Sequence, residues 1–285
     1  MKENKQKERI LILGGSGFIG QALYRELQSY YDVHGTYCSQ IGMYADNQVY
    51  HHFCLEKHAV TLLLEKIRPT TIVFALKGPA SLRLKALEKI CEYVKVDSDR
   101  SVFLISSRNV FDAKTARPAY EDDIPLSISA EGKTNIALEK LVIETIPDQH
   151  TIVRLPLVLG INSPEIVHLR QCIRHHATFE IYPNLVVTAI TIQQLQAQIH
   201  YMINRSFRGV FHPASENMIH HDELFREICE KIGDKTPIFK NVYSSNEDKF
   251  SALLSSKNKL PAPYCVSIEE VIQETALNET TTSLI

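Results

Sequence analysis

One stretch of this sequence has residue types and spacing that do recognisable chemistry. Gly14-Gly15-Ser16-Gly17-Phe18-Ile19-Gly20 fits GxxGxxG from Gly14 and GxGxxG from Gly15. It follows the continuously apolar residues 10–13 and precedes Phe18, Ile19, Ala22, Leu23, Leu27 and Tyr30 at helical spacing. A glycine at a strand end permits a tight turn. A middle glycine lets a pyrophosphate approach the backbone, and a last glycine lets the helix pack close to the strand. The free amides of the helix N-terminus then face the phosphates. Gly14, Gly15, Ser16, Gly17, Phe18 and Ile19 are therefore predicted to hold a dinucleotide. An acidic residue some twenty positions on would bind the ribose of NAD, and residues 34–40 contain none. The Arg that clamps the extra phosphate of NADP is also missing, but Ser39 and Gln40 carry groups that hydrogen-bond it. The balance favours NADP(H) over NAD(H).

The remaining candidates are weaker. The pairs His51-His52, His175-His176 and His220-His221 suggest metal ligands. Adjacent residues point apart in helix and strand alike, and no HExxH or Cys/His cluster accompanies them, so no metal site is expected. His168, Arg170, Arg174 and His175 form a basic helix segment, read mainly as a solvated face. Six cysteines, Cys38, Cys54, Cys91, Cys172, Cys229 and Cys265, show no CxxC spacing and are expected to be reduced. With 31 Lys+Arg against 33 Asp+Glu, the chain has no field to attract nucleic acid or an anionic membrane. Its apolar runs are too short to span a bilayer, and residues 1–9 lack the apolar core of a signal peptide. A cytoplasmic protein is expected.

These groups need elements to position them. Short apolar runs at 10–13, 32–37, 49–54, 70–76, 101–106 and 151–155 alternate with helical patterns at 18–30, 60–67, 84–94 and 132–146. Buried strands alternating with helices imply a doubly wound parallel sheet, an α/β Rossmann fold. Beyond residue 160 the pattern loosens into helices near 165–175, 191–203 and 222–232, with strand-like pieces at 186–189 and 209–212. The expected organisation is a dinucleotide-binding domain over 9–160 and a smaller α/β lobe over 161–275. The chain is free to cross between them, and 1–8 and 277–285 are read as flexible ends.

Several motifs in order resemble the extended short-chain dehydrogenases/reductases, and among them the dTDP-4-dehydrorhamnose reductase group. The glycine turn matches the family's nucleotide loop. Residues 104–112, LISSRNVFD, are similar to a family segment reading roughly I-S-T-D-Y-V-F-D. Residues 120–126, 154–160 and 209–212 are similar to its Y-x-E…P-L, R…x-G and G-x-F/Y-H segments. The resemblance implies NAD(P) binding, a nucleotide-sugar ligand, and Ala75 and Ser106 close to the cofactor. It also implies a Ser/Thr, here Ser107, holding the reacting oxygen. A Tyr-x-x-x-Lys pair would complete the site, with the lysine lowering the tyrosine's pKa from the same helix face. In the family frame Gly132 and Lys133 fit, but the Tyr position is Glu131 and the Lys position is Asn135. None of the 12 tyrosines has a lysine four residues later. Three readings stand. The first is a binding or regulatory pseudoenzyme with a protein partner or as a homodimer, a role this family fills in the regulatory subunit of methionine adenosyltransferase. The second is an active NADP-dependent reductase or epimerase using Ser107 and Glu131. The third is an interaction module without nucleotide.

Overall fold

The computed structural model describes residues 8–39, 41–44, 46–233, 236–243 and 245–282. Gln40, most of the lead-in 1–8 and the last three residues of the expected tail lie outside them. Strands β1 (Arg9–Leu13), β2 (Asp32–Tyr37), β3 (Tyr50–His52), β4 (Thr71–Phe74), β5 (Ser101–Ser107) and β6 (His150–Leu155) belong to one seven-stranded sheet. Helices α1 (Phe18–Leu27), α2 (Ile41–Tyr44), α3 (Val60–Ile67), α4 (Ala80–Lys95) and α5 (Ala130–Thr145) alternate with them. The seventh strand, Gly209–Phe211, joins beside β6, giving the order Gly209–Phe211, β6, β5, β4, β1, β2, β3. Pairings β2–β3, β1–β2, β1–β4 and β4–β5 are all parallel. The order turns back between β1 and β4, which makes the C-terminal end of β1 a topological switch point.

The remainder comprises β7 (Leu157–Leu159), α6 (Pro164–His175), β8 (Thr178–Ile181), β9 (Leu185–Val187), β10 (Ala189–Thr191) and α7 (Ile192–Asn204). After the seventh sheet strand, β11 (Gly209–Phe211), come β12 (Ile219–His220), α8 (His221–Ile232), β13 (Ile238–Asn241), β14 (Lys249–Ser251) and α9 (Ile268–Thr282). The chain forms two compact units. Unit one holds Met1–Ser106, Lys133–Val153 and Ile199–Val210; unit two holds Ser107–Gly132, Arg154–Gln198 and Phe211–Ile285.

In unit one the β1 side chains alternate. Leu11 and Leu13 meet Ile72, Phe74, Val102 and Leu104 in a core covered by α3, α4 and α5. Each such fully buried side chain stabilises by about 1.5–3 kcal/mol. In unit two the strands are short: β10 pairs parallel with β7, β8 with β13, and β9 lies between β12 and β14. Helix α6 starts with a Ser163 cap on the Ile166 amide and Pro164 in its first turn. Helix α9 runs to Thr282, where the sequence suggested a polar tail. It is started by a capping box: the Ser267 amide donates to Glu270 Oε2 at 2.7 Å, and the Glu270 amide to Ser267 Oγ at 3.3 Å.

Candidate functional site

The glycine turn of unit one is fixed by steric need. Gly14 has φ +88°, and a Cβ there would lie 2.6 Å from the Ala75 carbonyl oxygen. A Cβ on Gly15 would meet Gly35 Cα at 2.9 Å, and one on Gly20 would meet Gly14 O at 2.2 Å. The Gly14 amide donates to Thr36 Oγ1 (2.9 Å), Ser16 N–H to Thr36 O (3.0 Å) and Gly17 N–H to Gly14 O (3.0 Å). The first helical donor is Gln21 N–H, onto Gly17 O at 2.8 Å. The amides of Phe18, Ile19 and Gly20 therefore head α1, and no acidic side chain stands in its first turn to compete with an anion. Behind the turn, Gln21 Nε2 donates to Ser16 O and Tyr44 Oη, and the rings of Tyr44 and Tyr50 stack at 4.5 Å. This arrangement suits a dinucleotide pyrophosphate: backbone close to the strand end, the Phe18 and Ile19 amides at the head of the helix, no Cβ in the way.

The positions that would take the adenosine differ. Cys38, next after β2, is disulfide-bonded to Cys54, which follows β3. The expectation of six reduced cysteines is corrected for this pair. The register Tyr37↔His52 brings the ends of β2 and β3 together and leaves the two Cα atoms 5.0 Å apart, within bridging range. Cys91, Cys172 and Cys229 are free and buried, and Cys265 is free and half-buried. Ser39 is exposed beside the bridge.

Below the sheet end lies a buried polar cluster. Ser106 Oγ donates to Glu139 Oε1 at 2.5 Å, and Arg83 Nη2 donates to Asn135 Oδ1 at 2.9 Å. Arg83, Asn135 and Glu139 are 3%, 4% and 2% exposed. Asn135, in the frame of the family's lysine, is thus a structural acceptor for a guanidinium from α4. Sequence reasoning missed Arg83. Its signal was present: it falls on the stripe with Ala86, Leu87, Ile90 and Val94, where an arginine needs a partner.

In unit two, Ser107 caps the 3-10 turn Arg108–Phe111, its Oγ accepting the Asn109 amide at 3.3 Å. Ser129 Oγ accepts the Gly132 amide at 3.1 Å at the start of α5. A Cβ on Gly132 would lie 2.1 Å from Ser127 Oγ and 2.2 Å from Asn109 O. Glu131 is exposed in the first turn, where a carboxylate suits the helix dipole. The motif residues near 121, 154 and 212 form one buried network. Glu121 accepts from Ser255 Oγ (2.5 Å) and the Ser256 amide (3.0 Å), and Arg154 Nη1 donates to Glu121 O (3.1 Å). His212 Nδ1 donates to Leu254 O (3.0 Å), leaving Nε2 to face Arg154. Burial first, and the Arg154 charge second, push His212 down to about 4, so it stays neutral. These residues knit unit two together.

Cavities also open among the described residues of unit two. One of about 450 Å³ is lined by Glu165, His168, Phe179, Tyr182, His221 and Phe225 among others. His221 accepts the Tyr182 amide at Nδ1, and burial, then the Arg108 charge, hold it down at about 4. The second, of about 200 Å³, lies along β14 with Arg108 and Phe111 in its wall. Among the described residues no group of three or more His, Cys, Asp or Glu side chains could hold a metal ion. No helix there is long and apolar enough to cross a membrane.

Comparison with known proteins gives a consistent pattern. Residues 82–260 match the family model described as the RmlD substrate binding domain. Methionine adenosyltransferase 2 subunit beta from Bos taurus is 26% identical over 167 residues, covering 55% of this chain and 49% of that protein. A dTDP-4-keto-6-deoxy-D-glucose reductase from Streptomyces niveus is 27% identical over 192 residues, covering 62% and 66%. The chain thus spans about half the length of the first curated relatives it matches. The fold superposes on a Bacillus anthracis dTDP-4-dehydrorhamnose reductase in complex with NADP, with TM-score 0.77, 17% identity and coverage of 96% and 99%. It also superposes on MoeE5 in complex with UDP-glucuronic acid and NAD, with TM-score 0.75, 17% identity and coverage of 97% and 100%.

Proposed function

Because the chain belongs to the RmlD substrate binding domain family, we propose that it is a dTDP-4-dehydrorhamnose reductase-like protein whose role is binding or regulation. In this reading it holds a nicotinamide dinucleotide and a nucleotide sugar without the family's acid–base chemistry. The observation that carries it is Asn135, which replaces the lysine of the family frame and is buried as an acceptor for Arg83. An amide carries no charge to stabilise a tyrosinate, and the tyrosine position holds the exposed carboxylate of Glu131.

The pyrophosphate would rest on the backbone of Gly14, Gly15, Ser16 and Gly17 and on the amides of Phe18 and Ile19. Ala75 would border it through its carbonyl beside Gly14. Ser39 would meet the ribose side, where the lack of an acid favours NADP over NAD. Ser106 would support this region from below through Glu139. When bound, the cofactor supplies a hydride; this chain's residues hold and orient it. A cytoplasmic setting accords with such a cofactor. The NADP and UDP-glucuronic acid of the structural neighbours support these ligand classes, and the bovine relative supports a protein partner, with a homodimer as the alternative assembly.

A second reading keeps turnover. It is favoured by Ser107, which stays half-exposed at the end of β5 with an oxygen that can hold a substrate carbonyl. Glu131 would then move the proton.

Calorimetric titration with NADPH, NADH, NADP and NAD, followed by a reductase assay on a dTDP-4-dehydro-6-deoxy sugar, separates these readings. One cofactor is expected to bind, with turnover at background. Wild-type turnover in the ordinary enzyme range, about 1–10³ per second, would sink the pseudoenzyme reading. No binding at millimolar cofactor would leave the interaction module. Glu131→Tyr with Asn135→Lys alone would set a second cation against Arg83, so the restoring variant also carries Arg83→Leu. A gain of activity only in that triple variant would localise the lesion.

A further inference from the structure

Arg108 begins the 3-10 turn after β5. The family segment quoted above has an aspartate at this place, so the charge here is reversed. Its Nη1 is buried and finds no hydrogen-bond partner among the described residues. A buried donor without a partner is costly, and native proteins rarely keep one without use; the charge itself is offset in part by Glu165. The guanidinium lines the 200 Å³ cavity together with Phe111, Thr115, Lys249 and Ser251.

The walls of that cavity are mostly apolar, with Leu185, Phe250 and Leu253 among them, and they carry two cationic side chains. Lys249 makes no ion pair among the described residues and contributes a second positive charge. Asp112 also borders the space as a carboxylate that the amides of Ile128 (2.7 Å) and Ser129 (3.4 Å) keep charged, so the wall holds two cations against one anion. Phe111 is a fixed wall, with Arg154 stacked at 4.9 Å from its ring. The Arg108 charge also acts on Glu165 and His221, which line the 450 Å³ cavity, so it lies within electrostatic reach of both.

We propose that this cavity is an oxyanion site, in which Arg108 and Lys249 receive a carboxylate or phosphate group of the ligand. A guanidinium presents paired donors suited to either planar carboxylate or phosphate oxygens. The inference rests on the nucleotide-sugar reading above and adds an acidic group to it. Two sources share the chemistry: a carboxylate on the sugar, as in a uronic acid, or the diphosphate of the nucleotide.

The test is titration of the full chain with UDP-glucuronic acid, UDP-glucose, inorganic phosphate and glucuronate, for wild type, Arg108→Gln, Arg108→Lys and Lys249→Gln. If the sugar carboxylate is the source, wild type prefers UDP-glucuronic acid by at least about tenfold, as a charge-assisted bond of this kind implies. Arg108→Gln then erases the preference. If the diphosphate is the source, both nucleotides bind alike and both weaken by a similar factor in Arg108→Gln, with Lys249→Gln intermediate. Arg108→Lys recovers part of the affinity in either case. Equal binding of all four anions to wild type and Arg108→Gln, or no binding to either, overturns the proposal. A ligand-free readout is independent of the nucleotide: Arg108→Met should raise Tm by about 2–4 °C by removing a buried donor that has no hydrogen-bond partner. A fall in Tm of that size would make Arg108 structural and overturn the proposal. Cofactor binding at the glycine turn is scored separately, so its failure and that of the oxyanion site are distinguishable.

Discussion

The glycine turn of unit one and the start of α5 both hold glycines that the backbone requires, yet they differ in the side chains that stand beside those glycines. In the turn, Cβ atoms on Gly14, Gly15 and Gly20 would approach other backbone atoms to 2.6, 2.9 and 2.2 Å. There the steric need and the ligand need coincide, because the same closeness that excludes a Cβ exposes the amides. At α5, Gly132 is as constrained, with Ser127 Oγ and Asn109 O at 2.1 and 2.2 Å from a Cβ. The residues at the family's tyrosine and lysine positions beside it are Glu131 and Asn135. Packing preserves a glycine whatever happens to catalysis; nothing in packing preserves a tyrosine and lysine whose work is proton transfer.

The largest test of this contrast is Gly20→Ala. It forces a methyl into Gly14 O and should cost about 3 kcal/mol or more in denaturant unfolding, with loss of any dinucleotide affinity. A change under 1 kcal/mol would show that the turn is loosely packed after all. Next is the Cys38–Cys54 bridge after β2 and β3. Cys54→Ser opens a loop spanning a 16-residue separation and should cost about 3 kcal/mol under non-reducing conditions, with no cost once wild type is reduced. Asn135→Ala strips an acceptor from a buried guanidinium and should cost about 2 kcal/mol. If it instead leaves stability unchanged, Asn135 is not the structural partner that its burial implies.

The histidines sharpen the comparison through pH. His212 and His221 are held near 4 in the folded chain, below the unfolded value of about 6.5. The unfolded state therefore binds more protons between these values, and their contribution is full above about pH 6.5 and lost as pH falls toward 4. Tm against pH should be flat on the neutral side and decline below it, and His221→Phe should shallow the decline. The smallest effect belongs to Glu131→Gln. An exposed first-turn residue should move stability by no more than about 0.5 kcal/mol and leave cofactor affinity unchanged. A large loss of turnover in this variant would favour the active reading.

Much of unit one was legible because its signals are local. Continuous apolar strands, helical stripes and the glycine spacing place β1, α1, β4, α4 and β5 within a residue or a few. Unit two was less so: β8, β13 and β14 have three or four residues each, too few for a period to register. Helix α9 carried a readable signal, the Ser267–Glu270 box, hidden by the polar threonines after it.

By itself the sequence determined the doubly wound class, the glycine turn between β1 and α1, the family frame and the absence of the Tyr-x-x-x-Lys pair, since each is written in residue type and short-range spacing. Only the tertiary structure decided that Cys38 meets Cys54, that Arg83 occupies Asn135, and that Arg108 Nη1 is buried without an acceptor among the described residues. Those outcomes depend on which distant segments become neighbours, through parallel strand register and helix packing. Spacing along the chain carries no record of such distances.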